Sequence, residues 1–444
     1  MRSLLKLTPL VLISVAACAG GDIPGSIEGD LGPAQVSASI EARVTHALPP
    51  GGSSTASIRT LPDATCTVRP EGEAVGANPH LQLYSDDTGI ARLGLHDNGG
   101  IEQSGNLYLD CADSIGNTIT HTLVLNVING ARGQSPAVYA SASARPLPAL
   151  DKAPLELSDE EVAARGYPPR PDAVNAPAQY QKWLALVNSQ PAVIAPRLVA
   201  NPSRTHGPSH TDNSFGTSNN WSGYVISTPA SAVQYGEIFG AWSVPRGYAQ
   251  SGFWHLNHSS LWVGIDGWGT PDVVQAGTDQ NTETVAWVQV SSYDAWTEWY
   301  PLSSQDISNF PVNPGDEIYT WVWVGNAAGA WMPKGGVGWF LVWNTTQNVI
   351  TPHLSTAAPS GTVFNGHQAE WIMERPTVNG SLATLTDYAT AEVTDAWAYD
   401  FADKAHYYTS DTSVGLSMYN GSDLLSSVAP VDSMSMEFTW HNYQ

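Results

Sequence analysis

The sequence is poor in basic residues, in cysteine and in long apolar runs. Its 444 residues include 18 Lys and Arg against 41 Asp and Glu, for a formal net charge of −23. So acidic a chain is unsuited to nucleic acid or to an anionic membrane surface. Beyond the N-terminal stretch, no apolar run approaches the length of a membrane span. We therefore expect no nucleic-acid partner and no transmembrane segment.

Several common catalytic patterns are also missing. There is no His-Glu-x-x-His, and the 12 histidines show no ligand spacing, so a metallopeptidase is not indicated. There is no Gly-x-Ser-x-Gly and no Cys beside His, so nucleophilic hydrolases lack their main signature. Asp87-Thr88-Gly89 matches the short motif of aspartic peptidases but occurs once, whereas a carboxyl dyad needs two aspartates. We interpret it as a turn, and we expect neither a metal nor a cofactor.

Residues 1–18 have the pattern of an export signal rather than of a folded element. Arg2 and Lys6 precede an apolar stretch, and Val15-Ala16-Ala17-Cys18 closes it. This ending resembles a bacterial lipobox, in which the cysteine is lipidated after cleavage; ordinary signal cleavage nearby is the alternative. Both predict an extracytoplasmic protein, either secreted or attached to the outer membrane of a bacterium through Cys18. We expect a monomer with no other membrane attachment.

The next two segments differ in composition. Residues 19–36 are rich in Gly, Asp and Pro and predict a tether. Residues 37–130 contain short alternating runs separated by turn residues, which predicts a small immunoglobulin-like β-sandwich. With Cys18 set aside, Cys66 and Cys111 remain, and an isolated pair in an exported protein predicts one disulfide.

Residues 131–219 predict a linker or prosegment that is partly helical. Ser158-Asp159-Glu160-Glu161-Val162 offers a helix N-cap, and Gln179–Val187 has the pattern of an amphipathic helix. Asn201–Asn219 is rich in Ser, Thr, His and Asn, so we expect it to be flexible and easily cut.

The C-terminal half has a different composition again. The stretch 212–444 holds 16 of the 17 tryptophans and 22 Asp and Glu against four basic residues. Within 220–444, short strands rich in Trp, Tyr, Val and Thr alternate with turns, which predicts an all-β domain, either a two-sheet sandwich or a barrel. The shortage of basic groups favours stability of the folded domain at low pH, because few positive charges remain to repel one another once the carboxyls are protonated.

Carboxylates and tryptophans share the predicted strands of this half. Residues two apart on a strand project to one face, so Asp294, Trp296 and Glu298 share a face, as do Glu370 and Glu374. Exposed aromatic surface without a ligand promotes aggregation, so this mixture favours the floor of a cleft. Four further aromatic residues crowd the same segments: Tyr293, Trp299, Tyr300 and Trp371.

Five short segments occur in a recognisable order: Asn220–Tyr224, Trp262–Gly267, Gln275–Gly277, Tyr293–Pro301 and Glu370–Glu374. Their sequences and order resemble those of the glutamic peptidases, the eqolisin family. The resemblance covers residues 220–444 and is thin beyond Pro376. It implies a two-sheet antiparallel β-sandwich of the concanavalin-like type, and endopeptidase activity on polypeptides at acid pH.

By position, the resemblance implies that Gln275 and Glu374 form a catalytic dyad. The glutamate would act as general base on water, and the glutamine would stabilise the oxyanion. Glu370 fits the same strand face, so a different register would move the base by four residues; Glu374 closes the segment as in the family pattern. The supporting cleft residues would be Trp262, Asp266, Asp294, Trp296 and Glu298.

Two other functions fit part of the pattern. A retaining glycoside hydrolase on a jelly roll also uses two carboxylates on one strand face and tryptophans that stack on sugars. A carbohydrate-binding lectin would use the Trp-rich face for binding alone. Neither explains the segment around Gln275.

The preceding segment suggests a hypothesis about regulation. Residues 131–219 would inhibit the acidic catalytic domain at neutral pH and be released by self-cleavage within Asn201–Asn219 in acid. A plain linker is the alternative. The basic residues available for pairing are Arg165, Arg170, Lys182, Arg197 and Arg204.

Overall fold

A computed structural model describes most of the chain from residue 42 onward. The described residues are 42–48, 53–77, 80–97, 105–127, 145–146, 152, 156–164, 167–189, 191–208, 216–228, 234–252, 254–285, 288–329, 331, 335–402 and 404–444. The predicted signal, Cys18 and the tether lie outside this range. The architecture is mostly β-sheet with few helices, as the sequence predicted. Neither helix in the described ranges is long and apolar enough to cross a membrane.

The described part of the N-terminal module contains seven strands. Five form one sheet in the order β1-β7-β6-β3-β4, and a disulfide joins Cys66 to Cys111 between the neighbouring strands β3 and β6. Asp87-Thr88-Gly89 forms the turn between β4 and β5. The strands are β1 (Ala42–Leu48), β2 (Ser53–Arg59), β3 (Thr65–Pro70), β4 (Gln82–Tyr84), β5 (Ile90–Asp97), β6 (Gly105–Ala112) and β7 (Thr118–Val127).

The second layer of this module is completed by the C-terminal half. Strand β2 pairs with β5, and β5 pairs in turn with the start of β17 (Val288–Tyr300), so that Leu95 lies opposite Val290. Val285, Val288 and Val290 are buried in the same hydrophobic cluster as Leu93 and Leu95. The two halves of the chain therefore share one sheet and one core at this point, which no pattern in the sequence predicted.

The segment before the C-terminal domain wraps around it. Ser158 and Glu161 make the reciprocal hydrogen bonds of a capping box at the start of α1, as the sequence predicted. Helix α2 buries Trp183 and Leu186 against a cluster of tryptophans on the domain. The elements are β8 (Arg145–Pro146), α1 (Asp159–Ala164), α2 (Pro177–Ser189), β9 (Ala192–Val193), β10 (Leu198–Asn201), β11 (Arg204–Thr205) and β12 (Thr217–Ser218).

The C-terminal domain consists of two β-sheets packed face to face. The front sheet runs β18-β17-β16-β15-β23-β13-β29 through antiparallel pairs. Its strands are β13 (Trp221–Ser227), β15 (Trp254–Ile265), β16 (Val273–Val285), β17, β18 (Ser304–Ile307), β23 (Gln368–Glu374) and β29 (Thr412–Asn420), with β26 (Thr384–Leu385) at the edge of β15.

The back sheet contains the remaining long strands, and β29 joins the two sheets by also pairing with β30. Its strands are β14 (Tyr235–Ser243), β19 (Glu317–Gly325), β20 (Val337–Asn344), β21 (Val349–Ile350), β22 (Leu354–Ala357), β27 (Thr390–Asp400), β28 (Ala405–His406), β30 (Asp423–Pro430) and β31 (Met436–Trp440). A small third sheet joins β11 to β24 (Thr377–Val378) and β25 (Ser381–Leu382).

Alternating residues explain the packing of the two sheets. Val263 on β15 and Val274 on β16 point to the back sheet and meet Val322 and Phe340 in the largest hydrophobic cluster. The opposite face of the front sheet carries polar side chains among a second, smaller cluster that includes Trp262. This polar face is the one on which the sequence placed the candidate catalytic groups.

The shared core makes a prediction about stability. Val290→Ala removes two buried methyl groups and should lower the free energy of unfolding by about 1–3 kcal/mol. Hydrogen exchange should become faster in β2 and β5, because the cavity lies in the core they share with β17. Val431→Ala, at a position 56 % exposed, is the matched control and should have little effect. Equal effects of the two variants in unfolding experiments would contradict a shared core.

Candidate active site

The register of β16 and β17 brings polar side chains into pairs across the front sheet. Gln275 lies directly opposite Glu298, and Asp279 lies opposite Asp294. Trp296 lies between these pairs on the same face, as alternation along a strand requires. All these groups are buried apart from Asp294, which is partly exposed.

Strand β15 lies between the polar side chains of β16 and β17 and the two glutamates of β23. Gly264 lies level with Gln275 on one side and with Glu370 on the other, whereas Ser260 lies level with Glu374. A Cβ on Gly264 would come within 3.0 Å of the Gln275 Cβ and closer still to a tryptophan ring. The glycine therefore leaves room on the cleft face for the longer side chains beside it.

The Gln275 carboxamide is fully buried and donates two hydrogen bonds. Its Nε2 donates to Glu298 Oε2 at 2.9 Å and to the main-chain oxygen of His206 at 2.5 Å. Burial raises the pKa of Glu298 well above its usual range, and the nearby charge of Glu374 raises it further. Glu298 thus holds the amide of Gln275 in one orientation, with both hydrogens engaged.

Glu374 is buried in the same cleft. Its Oε2 accepts a hydrogen bond from Trp262 Nε1 at 2.8 Å and lies 3.3 Å from His206 Nδ1. Burial raises the pKa of Glu374 well above its usual range, while the hydrogen bond from Trp262 opposes this by favouring the ionised form. Gln275 and Glu374 therefore contact the same residue, His206.

Glu370 and Asp266 belong to a different part of the polar face. The backbone N–H of Trp268 donates to Glu370 Oε1 at 3.4 Å. Asp266 accepts hydrogen bonds from three consecutive backbone N–H groups, at 3.1, 2.7 and 3.0 Å, over residues 365–367. Burial raises the pKa of Asp266 to about 6. Asp266 therefore holds a loop, and neither carboxyl group makes a hydrogen bond to Gln275 or Glu374 among the described residues.

The segment predicted to be flexible instead enters the cleft. Arg204 and Thr205 pair with β24, and His206 is fully buried with its ring stacked on Trp296, the centroids 3.7 Å apart and the planes within 3°. The His206 N–H donates to Glu298 Oε2 at 3.2 Å. The expectation of flexibility is therefore wrong for residues 201–208, because their contacts with the rest of the chain hold them in place. Residues 209–215 lie outside the described part.

Arg204 enters an acidic cluster beside His206. Its Nη2 lies 2.9 Å from Asp279 Oδ2 and 3.0 Å from Asp306 Oδ1, and its Nη1 donates to Asn281 Oδ1 at 3.2 Å. Burial raises the pKa of Asp279 to about 7 although Arg204 opposes the shift, and burial together with Asp306 raises the pKa of Asp294 to about 7. Asp294 thus belongs to this acidic cluster and makes no hydrogen bond to Gln275 in the described structure.

The other basic residues of 131–219 have varied partners. Lys182 pairs with Asp395 of the C-terminal domain at 2.7 Å. Arg197 pairs with the N-terminal module through Asp63, whereas Arg170 pairs within its own segment. Arg165 lies outside the described residues.

Two tryptophans expected near the cleft lie in the core between the sheets. Trp299 donates to Asp272 Oδ2 at 3.0 Å, and Trp371 donates to the main-chain oxygen of Phe239 at 2.8 Å. Each is one position away from a cleft residue on its strand, so it projects to the opposite face. The density of aromatic residues wrongly suggested that both tryptophans face the cleft, whereas the alternation of side chains along each strand predicts the correct face.

Sequence reasoning missed Asp279, Asp306 and His206, whereas it named Arg204 among the basic residues available to pair with the C-terminal domain. Asp279 had a usable signal, because it lies four residues after Gln275 on one strand and so shares its face. Asp306 and His206 depend on contacts between distant parts of the chain. In the described ranges, no group of three or more His, Cys, Asp or Glu is arranged to hold a metal ion.

The chain belongs to the peptidase A4 family, the glutamic peptidases or eqolisins. A sequence model of this family matches residues 219–440, which is half of the chain. The family resemblance drawn from the five segments is thus confirmed.

Two curated relatives and two solved structures are similar to part of this chain. Aspergillopepsin-2 of Aspergillus niger is 28 % identical over 198 residues, 41 % of this chain and 64 % of the relative. Scytalidopepsin B of Scytalidium lignicola is 40 % identical over 60 residues, 13 % of this chain and 20 % of the relative. The chain thus spans less than two thirds of either relative.

The structural similarities have low overall scores. A crystal structure of scytalido-glutamic peptidase with a transition state analog inhibitor aligns with 50 % of this chain and 98 % of its own, at 19 % identity and a TM-score of 0.41. That of aspergilloglutamic peptidase from Aspergillus niger aligns with 42 % and 99 %, at 26 % identity and a TM-score of 0.36.

The buried carboxyls predict a dependence of stability on pH. A carboxyl whose pKa is raised by folding costs stability above that pKa, and the cost is relieved as the pH falls towards the value in the unfolded chain. Eight carboxyls have a raised pKa: Asp266, Asp272, Asp279, Asp294, Glu298, Glu370, Glu374 and Asp387. Four histidines act oppositely in acid, because burial lowers their pKa: His121, His206, His258 and His353.

Because the carboxyls outnumber the histidines, we expect the free energy of unfolding to rise from about pH 7 to about pH 5. Urea unfolding at several pH values measures this. A midpoint that falls steadily as the pH is lowered would contradict the expected proton uptake.

Proposed function

We propose that the protein is an acid-active endopeptidase that hydrolyses peptide bonds with Gln275 and Glu374. The observation that carries this proposal is the position of His206, whose main-chain oxygen accepts a hydrogen bond from Gln275 while its ring contacts Glu374. The main-chain carbonyl of His206 is thus hydrogen-bonded to the side-chain amide of Gln275, and the carboxyl group of Glu374 contacts the same residue. Membership of the peptidase A4 family supports the same reaction class.

Glu374 is the proposed general base. The attacking water must lose a proton as it adds to the amide carbon, and a carboxylate within hydrogen-bond reach can accept it. The indole N–H of Trp262 stabilises the ionised form of Glu374. The glutamic acid formed then returns the proton to the leaving nitrogen, so one side chain acts as base and then as acid.

Gln275 is the proposed oxyanion stabiliser. The carbonyl oxygen becomes negative in the tetrahedral intermediate, and a preoriented neutral N–H stabilises this charge without titrating. Glu298 Oε2 accepts the other hydrogen of the same amide nitrogen. Glu298 therefore acts as a positioning residue, while Trp296 offers an aromatic face to the peptide in the cleft.

The carbohydrate alternatives receive less support. A retaining glycosidase needs two carboxyls on either side of a sugar bond, with an amide playing no defined part. Here Glu374 and Glu370 have separate contacts, and the family is one of peptidases. Polypeptides are thus the proposed substrates. Export, lipidation of Cys18 and a monomeric state remain predictions from the sequence.

Replacement of the dyad tests the proposal directly. Glu374→Gln should lower the turnover of acid-denatured haemoglobin or casein by about 10²–10⁴-fold, because the base is lost. Gln275→Ala should lower it by about 10²–10³-fold, because an oxyanion donor is lost. Peptide release is measured from pH 2 to pH 7, with pepstatin present to suppress contaminating aspartic peptidases.

Glu370→Gln is the matched control on the same strand. Its side chain contacts the backbone of Trp268 rather than His206, so we expect activity close to that of the unchanged protein. Loss of activity in Glu370→Gln but not in Glu374→Gln would show that the base is four residues earlier. If Gln275→Ala keeps full activity, the amide has no role in the reaction.

The hydrogen bond from Trp262 predicts a shift in the pH profile. Trp262→Phe removes a donor that favours ionised Glu374, so the pKa of Glu374 should rise, and the acid limb of kcat/KM should move up by about one pH unit. Trp339→Phe removes an indole whose Nε1 donates to Asn326 at the back sheet, and it should leave the limb unchanged. An unmoved limb in Trp262→Phe would contradict a role for Glu374 as the base.

A further inference from the structure

A cavity of about 150 Å³ lies where the N-terminal module meets the C-terminal domain. Strands β2, β4 and β5 of the module form one part of its wall. The domain forms the rest with the first half of β17, residues 246–248 and the loop that follows β18. The cavity therefore exists only because the two parts of the chain fold against each other.

The cavity lies along an open edge of β17. On this edge, β5 pairs with residues 288–291, and β18 pairs with residues 296–297. Between them, residues 292–295 pair only with β16 on the other side, among the strands that the structure describes. Ser292, Tyr293 and Asp294 from this stretch line the cavity. Main-chain groups on such an edge can pair with an extended peptide, as in β-strand addition.

Polar groups in the wall are already bonded within the fold. Gln289 accepts a hydrogen bond from the Ala249 N–H at 2.8 Å and donates one to the Gly247 oxygen at 2.9 Å. The Tyr293 hydroxyl accepts from the Gly247 N–H at 3.1 Å. Asp86 accepts from two backbone N–H groups and from an arginine. An occupant would therefore gain free energy mainly by burying apolar surface.

The size and lining of the cavity favour an aromatic ring. A cavity of this volume is large enough for a molecule of the size of benzene. In acid Asp294 adds no charge to the wall, because burial and Asp306 raise its pKa to about 7. Apolar and aromatic side chains line the remaining surface: Leu83, Ile90, Leu95, Tyr248, Phe310 and Val312.

The cavity also adjoins the proposed substrate cleft. Asp294 lines the cavity and belongs to the acidic cluster, and Tyr84 lines it and donates to Asp306 Oδ2 at 2.6 Å. Asp294 precedes Glu298 by four residues on β17, which is about 13 Å along a strand. A polypeptide of moderate length can thus reach the dyad and the cavity together.

We propose that this cavity is an exosite that holds one aromatic side chain of a polypeptide substrate, while the adjoining main chain of that substrate pairs with the open edge of β17. This inference rests on the proposed peptidase activity and adds a preference for long chains over short peptides. The N-terminal module thereby takes part in substrate recognition, because its strands form part of the wall.

Two variants on β2 provide the matched comparison. Thr55 lines the cavity and lies opposite Gly94 of β5, which has no side chain, so Thr55→Tyr can place a ring in the cavity. Ser57 lies two positions further on, hence on the same face, and is also half-buried, but it does not line the cavity. Ser57→Tyr is therefore the control for the same change of side chain.

Binding of a ring is measured first, without catalysis. The Glu374→Gln chain, alone and with either change on β2, is titrated with N-acetyl-L-phenylalanine amide and followed by NMR. We expect saturable shifts in the ring signals of Tyr248, Tyr293 and Phe310. Thr55→Tyr should abolish these shifts, and Ser57→Tyr should keep them. If the shifts are absent from every chain, or persist in Thr55→Tyr, the cavity does not take the ring and the inference is wrong.

Hydrolysis then shows whether substrates use the cavity. Thr55→Tyr should raise KM for casein about tenfold and leave kcat unchanged, because a buried ring contributes uniform binding. A tetrapeptide cut at its central bond reaches only about 7 Å to either side of the dyad, so its hydrolysis should not change. Ser57→Tyr should match the unchanged chain with both substrates.

The outcomes separate this inference from the proposed function. An unchanged KM for casein in Thr55→Tyr would overturn the inference even if the probe binds, because the cavity would then take small aromatic molecules only. Equal losses with casein and the tetrapeptide would also overturn it, since they indicate a general structural defect. If the unchanged chain hydrolyses neither substrate, the proposed function is wrong, and the substrate exosite with it.

Discussion

The cleft depends on hydrogen bonds between polar groups that the fold buries. A buried carboxyl or amide with no partner at all costs free energy, so a hydrogen bond to at least one atom of each group stabilises the site. Gln275 finds Glu298 and the backbone of His206, and Glu374 finds Trp262 and the His206 ring. The segment in the cleft therefore supplies hydrogen-bond partners to the site and also occupies it.

The rest of the molecule keeps that segment in position. The N-terminal module is tied to β17 through a shared sheet and a shared core, and Tyr84 of this module donates a hydrogen bond to Asp306 in the acidic cluster. Helix α2 covers tryptophans on the outer face of the back sheet. Residues before the peptidase domain thus reach three of its surfaces, which a flexible leader would not do.

Local patterns predicted much of the fold. Helices α1 and α2 followed from a capping box and an amphipathic repeat, and most strands of the N-terminal module followed from alternation. The alternation is weakest in β2, because Ser53–Arg59 is mainly small and polar, with Ala56 and Ile58 as its buried apolar residues. Trp299 and Trp371 were assigned by aromatic density, although their odd positions between cleft residues put them on the core face.

The sequence by itself determined the family, the all-β class and the strand faces that carry Gln275, Glu298 and Glu374, because these depend on short motifs and on a two-residue period. Only the tertiary structure decided that Glu374 rather than Glu370 reaches His206, and that Asp266 holds a loop. It alone brought His206 to the dyad, since those contacts join residues 69 and 168 positions apart. Strand register and long-range packing decide such contacts, and no local pattern encodes them.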